Sequence, residues 1–258
     1  MARVSGIKYQ ETIWSEVFPG NYHTVHALQP AILASEIALD LAPAQRQRTI
    51  WRLDGGSGSE QELRWIVERG YHILAKGINH NRAAALAKKV KRWDQFGDVW
   101  LGEVPAPTDY ARPVRVLVKR QIKDGANRHS YYVTTLSFSS KSLLQSTYNA
   151  RGGAEVEQFR NDKSGLGLEA RRKRSYLGKK AYILLTDLAH NLIADFRHRG
   201  LVGSRFAEYG PRRILRDLLE MPGKLVFEDG MLRRIELLSL KQNSQDLLLC
   251  LERYCFSP

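Results

Sequence analysis

Two stretches of the chain carry residue types that could do chemistry. The first is Ile50-Trp51-Arg52-Leu53-Asp54, followed by Gly55-Gly56-Ser57-Gly58. An apolar run ending on an aspartate reads as a buried strand whose carboxylate projects from the C-terminal edge of a sheet. That edge is where α/β folds place their reactive groups. The same pattern suits an aspartate that merely caps a turn. The glycines permit a tight turn, but no Gly-Lys-Ser/Thr follows, so this is not a nucleotide P-loop. The second stretch is Tyr148-Asn149-Ala150-Arg151-Gly152-Gly153-Ala154-Glu155. Tyr148, Arg151 and Glu155 fall at helical spacings and share one side of a helix; a solvated salt-bridge face is the plain alternative. Two glycines inside a helix cost about 1 kcal/mol each relative to alanine, which makes sense where a backbone packs closely against something. His23-x-x-His26 has no companion Cys or His motif and is not read as a metal pair.

The elements around these residues alternate. A helix opened by Pro30 places Ile32, Leu33, Ile37 and Leu41 at helical spacing, and Pro43 stops it. Thr49 to Asp54 is the strand just described. Ser59 can cap the next helix, with Glu62 three residues on as a capping box. That helix carries Leu63, Ile66 and Val67 and ends at Gly70. Tyr71 to Lys76 is another strand, so an α/β layer with some parallel pairing is expected. Val114 to Lys119 and Tyr131 to Leu136 read as strands about a Lys123-Asp124-Gly125 turn. Leu143 to Phe159 and Tyr182 to Phe196 read as helices, and Leu225 to Leu238, with Asp229-Gly230 at its middle, as a closing hairpin. The expected organisation is a partial core over 1–92, a β-rich insertion over 93–138, a helical part over 139–225, and a hairpin and tail over 226–258.

The formal net charge is +13 over 258 residues, a balance that favours a polyanionic partner. Basic residues cluster. Arg171-Arg172-Lys173-Arg174 is the densest block. Arg112, Arg115, Lys119, Arg120 and Lys123 form a second, and Arg197, Arg199, Arg205, Arg212, Arg213 and Arg216 a third. With 43% hydrophobic residues the chain is globular rather than disordered. No apolar run reaches the ~20 residues that span a bilayer, and no signal core opens the chain, so a cytoplasmic protein is expected. The two cysteines, Cys250 and Cys255, make no disulfide framework and read as reduced core thiols.

Taken together, Arg52-Leu53-Asp54-Gly55-Gly56-x-Gly58, Arg69-Gly70-Tyr71-His72-Ile73-Leu74-Ala75-Lys76-Gly77 and Tyr148-x-x-Arg151-x-x-x-Glu155 resemble the insertion-sequence DDE transposases. Asp54 matches the second catalytic aspartate of that family and Glu155 the glutamate of its tyrosine-arginine-glutamate-lysine signature. Asp162 stands where the signature lysine is expected, and Lys163 follows it. Gly165 to Leu168, the densest basic block and Leu185 to Leu192 also resemble the segment after that glutamate. The likeness covers roughly residues 1–235.

The resemblance implies an RNase H-like mixed sheet flanked by helices, with a β-rich insertion before the glutamate helix. It implies Mg²⁺ or Mn²⁺ held by three carboxylates, two of them Asp54 and Glu155, which should therefore lie close together. It implies DNA phosphates on Tyr148, Arg151, Lys163, Arg171, Arg172, Lys173 and Arg174. The partners are DNA, as element ends and target, and a second copy in a homodimeric DNA complex. A nucleoid-associated bacterial protein follows. Ahead of Asp54 there is one other aspartate, Asp40, in an expected helix rather than a strand. The first acid and the first strand are therefore expected to be missing, by truncation. The chain alone should then be inactive and marginally stable. A non-catalytic DNA-binding remnant and an unrelated RNase H-like nuclease are the other readings.

Overall fold

The computed structural model describes the chain apart from residues 20–23, 55–58, 78, 107–108, 139, 169–173, 239–241 and 257–258; the side chains of 24, 150–159, 242 and 256 also lie outside the described residues. The elements run β1 (Ala2–Ser5), β2 (Thr12–Glu16), α1 (Leu28–Ala38), α2 (Pro43–Arg46), β3 (Ile50–Leu53), α3 (Glu60–Glu68), β4 (His72–Lys76) and α4 (His80–Ala87). Then come β5 (Trp93–Phe96), β6 (Val99–Val104), β7 (Arg115–Lys123), β8 (Ala126–Thr134) and α5 (Lys141–Arg160). The chain finishes with α6 (Tyr176–Phe196), α7 (Pro211–Arg213), β9 (Gly223–Glu228), β10 (Met231–Leu237) and α8 (Gln242–Phe256). It divides into two compact units, one of Phe18–Gly153 and one of Arg3–Val17 with Ala154–Pro258.

The first unit is built on a six-stranded sheet in the order β3-β4-β8-β7-β6-β5. β3 and β4 are parallel, with Leu53 opposite Ala75, and every other neighbour is antiparallel. The β-rich stretch therefore continues the same sheet. This mixed sheet with flanking helices is compatible with an RNase H-like fold. One face carries Leu53, Ile73, Ala75, Val116, Val118, Tyr131 and Val133, packed against α1, α3 and α4. In α3, Leu63, Ile66 and Val67 are at most 2% exposed, each burial contributing about 1.5–3 kcal/mol. The Ser59 side chain accepts from the Glu62 amide, and Gly70 leaves the helix at φ +92°, as the spacing predicts. The opposite face carries Leu74, Leu117 and Tyr132, covered by Leu144 and Tyr148 of α5. The β7–β8 turn has positive φ at both Asp124 and Gly125, the backbone that a two-residue hairpin needs.

Three expectations change here. Among the described residues β3 is an edge strand, paired with β4 alone, and only its Leu53 is buried. α1 starts before Pro30 and does not use Ile37, which is 82% exposed; it buries Ser35 and Glu36 instead. The reason lies in two residues of the chain beyond α3. The Glu36 carboxylate accepts from the Arg69 guanidinium and, at 2.9 Å, from the Tyr71 hydroxyl, so a charge is cheaper to bury there than its residue type implies. Burial alone would raise the Glu36 pKa, but these bonds pull it below the ordinary range. Asp40 lies just past α1 in a left-handed turn, φ +46°, and is exposed.

In the second unit, Ile193, Phe196, Leu201, Phe206, Ile214, Leu218, Leu247 and Cys250 form the core. The β9–β10 hairpin turns at Asp229 and Gly230, both at positive φ. α8 then follows where a tail was expected, and Leu247 and Cys250 are its buried contribution. Cys255 is exposed, so only one of the two thiols is in the core.

Candidate functional site

Asp54 follows the last residue of β3, where the parallel pair β3–β4 ends, and its side chain is exposed. An exposed carboxylate at that edge is a hard oxygen donor, and its chemistry suits a divalent ion such as Mg²⁺. The glycine turn at 55–58 lies outside the described residues. Arg52, two residues earlier in β3, donates to the Thr147 carbonyl at 2.9 Å. This bond ties the strand that leads to Asp54 to α5, at the residue preceding Tyr148.

The other sequence-predicted residues fare differently. Tyr148 is 6% exposed, its ring centroid 4.9 Å from that of Tyr132. It belongs to the core that seats α5 on the sheet. The side chains of Arg151 and Glu155 lie outside the described residues, as do Arg171, Arg172 and Lys173. Lys163 is exposed in a wide helical turn, Asn161–Gly165, that continues α5, and Arg174 is exposed. Among the described residues no three His, Cys, Asp or Glu side chains gather as a metal cluster.

Two groups that sequence reasoning named, but did not assign to the site, stand near these elements. Lys76 ends β4, directly after Ala75, the register partner of Leu53. Lys119 of β7 shares the α5-facing side of the sheet with Leu117. Burial, then the Lys76 charge, lowers the Lys119 pKa, with Asp98 opposing. Two like charges held this close, with no ion pair to either among the described residues, favour an arriving anion. The signal was present as a lysine ending each of two β-rich runs, but strand register alone brings them together.

In the second unit a buried polar network replaces the expected lysine. Asp162 is fully buried and pairs with Arg3 and with His190 Nδ1 at 2.8 Å. Arg3 also pairs with Asp187, which accepts from the Ser15 hydroxyl. His190 Nε2 meets the Gln10 carbonyl at 2.8 Å. Both ring nitrogens face acceptors that carry no proton, so both must donate and the ring is an imidazolium. Burial opposes that charge, yet the bonds to Asp162 and Gln10 outweigh it and raise the His190 pKa. Burial likewise pushes the Asp162 pKa up, and the bonds from His190 and Arg3 more than reverse it. The Asn191 amide completes the seam, giving and receiving a hydrogen bond with the Thr12 backbone at 2.8 and 2.7 Å. Asp187, His190 and Asn191 recur at helical spacing, so one face of α6 holds the β1–β2 segment. Position 162 thus serves the fold.

No helix is long and apolar enough to cross a membrane among the described residues. Compared with known families, residues 17–251 match the model described as transposase DDE domain group 1. No curated protein matches the chain.

Proposed function

Because the chain belongs to the transposase DDE domain group 1 family, we propose that it acts on the DNA of an insertion sequence, with Asp54 and Glu155 as two of the three acids of a metal-dependent strand-cleavage and strand-transfer site. The observation that supports this reading is the exposed Asp54 carboxylate just past the C-terminal end of β3, on a strand bonded through Arg52 to Thr147 of α5.

Asp54 and Glu155 would hold Mg²⁺ or Mn²⁺, which supplies charge stabilisation to both oxygens of an in-line phosphodiester displacement. Arg52 orients the strand end, Lys76 and Lys119 draw a phosphate toward it, and the buried ring of Tyr148 seats α5. Arg151, Lys163 and Arg171 to Arg174 take further DNA phosphates, in a homodimeric complex of two copies on element ends. The first acid is not assigned to any residue, since Asp40 sits in a helix-terminal turn. The chain by itself is then a DNA binder without cleavage activity.

Fe²⁺ in place of Mg²⁺, with ascorbate and peroxide, cuts the backbone beside a divalent site. Scission near residues 54 and 155 that Asp54→Asn abolishes is the expected result. Scission elsewhere, or unchanged in that variant, removes the acid assignment. Cleavage of element-end DNA by the chain with Mg²⁺ or Mn²⁺ would show that the first acid is already present, and persistence of that cleavage in Asp54→Ala would overturn the site.

A further inference from the structure

At the end of the sheet away from the α1–α3 packing, four strands bring Trp93 of β5, Trp100 of β6, Arg120 of β7 and His129 of β8 together. Arg120 is the direct cross-strand partner of both Trp100 and His129. Its guanidinium carbon lies 4.7 Å from the Trp93 ring centroid and 5.0 Å from that of Trp100. The His129 ring stands 6.5 Å from Trp93. All four side chains are half-buried. They share the sheet face with Val118, which is fully buried, and with Ile122, which is 58% exposed. The cluster therefore marks the border where the covered core gives way to open sheet.

Among the half-buried arginines of its unit, Arg120 is set apart by what it lacks. Arg46 and Arg69 of the same unit are paired with Glu36, Arg82 with Glu60 and Arg115 with Glu103. Arg52 and Arg112 donate to backbone carbonyls. Among the described residues, Arg120 has no carboxylate partner and no hydrogen-bond acceptor; its contacts are the two indoles. The neighbouring acids are already engaged, Asp94 by Lys141 and Arg92, Asp98 by Gln121. His129 supplies no anion either, and burial, then the Arg120 charge, lower its pKa. A half-desolvated guanidinium with five donors in a fixed fork and no acceptor is arranged for an incoming oxyanion. Stacking on two rings holds it in place before that anion arrives.

The surroundings say which anion. Lys88, Lys89, Lys91 and Arg92 lead into β5, and Lys123 and Arg128 flank the β7–β8 turn, all exposed. We propose that the Trp93–Arg120–Trp100 clamp is a binding site for the phosphodiester backbone of DNA, and that this end of the sheet is a second DNA-contacting surface in addition to the Asp54 site. The contact fixes the position of the duplex without reading its sequence. It rests on the transposase reading for the identity of the polyanion, and the experiment separates the two.

Binding of a fluorescent duplex to the intact chain would be followed by anisotropy across a series of salt concentrations, for wild type, Arg120→Gln, Arg120→Lys and Trp100→Leu. A DNA-binding wild type is expected, with Arg120→Gln weaker by roughly tenfold, the loss of one charge-assisted contact. Its log-affinity should fall less steeply with log-salt, by about one unit of slope, because one phosphate contact is gone. Arg120→Lys should keep the slope while losing part of the affinity, and Trp100→Leu should weaken binding with Arg120 still present. Equal affinity and slope in all four proteins would overturn the clamp while leaving the transposase reading intact, and would point to an acidic protein as occupant of this surface. No binding by wild type would overturn both. If Arg120→Gln alters the circular dichroism spectrum, Arg120→Lys decides: wild-type affinity there, with wild-type affinity in Trp100→Leu, also overturns the clamp.

Discussion

The two units handle charge in opposite ways. In the unit of residues 3–17 and 154–258, two cations, Arg3 and His190, and two anions, Asp162 and Asp187, neutralise one another out of contact with water. In the unit of residues 18–153, Lys76, Lys119 and Arg120 sit half-buried, and no ion pair is made to them among the described residues. Both ring nitrogens of His190 have their partners inside the protein, so that network holds structure. The unpaired cations cost stability and return it only when an anion binds. A net charge of +13 is therefore a poor guide to where DNA lies. Much of the third basic block is already neutralised, Arg199 by Asp195, Arg205 by Asp246, and Arg213 and Arg216 by Asp217.

The contrast can be broken most forcefully at Asp162. Asp162→Ala leaves Arg3 and His190 charged, buried and short of their shared anion. Loss of one partner of a buried pair typically costs about 3–5 kcal/mol. Urea unfolding of this variant should show a large drop in midpoint; a change within about 0.5 kcal/mol, as at a surface site, would mean the network is not closed in solution.

A smaller effect is expected from pH. The His190 pKa is raised on folding, so its contribution is complete below its unfolded value of about 6.5 and is lost as pH rises through the higher folded value. The Asp162 pKa is lowered, so its contribution holds above about 3.9 and is lost as pH falls through the depressed folded value. Stability should therefore decline on the alkaline side, from about pH 6.5 upward. That decline should be absent in His190→Gln. A slope identical in the two proteins would assign the alkaline loss to other groups.

The smallest effect on stability is expected at Lys119. Lys119→Gln removes a repulsion with Lys76, so the melting temperature should stay level or rise slightly, within about 0.5 kcal/mol. DNA affinity should fall, most clearly at low salt. A variant that melts earlier and binds DNA as before would place Lys119 with the structural charges and erase the contrast between the units.

The sequence alone was sufficient wherever the governing interaction is local. The Ser59 cap, the Gly70 stop, the turns at Asp124-Gly125 and Asp229-Gly230 and the strand leading to Asp54 depend on a few adjacent residues, and all were legible. Asp54 and Glu155 are candidate acids on motif spacing, a linear property, and stand as a proposal. Tertiary structure decided the rest. The burial of Glu36 depends on Arg69 and Tyr71, more than thirty residues away. Asp162 reads as a displaced signature residue until Arg3 and His190 close around it, and Tyr148 reads as a surface residue until α5 lies against Tyr132. Arg120 is one basic residue among forty until strand register sets it between two indoles with no acid in reach. Charge can be counted along a chain, but whether a charge is paired depends on separations of a few ångströms between residues that folding alone makes neighbours.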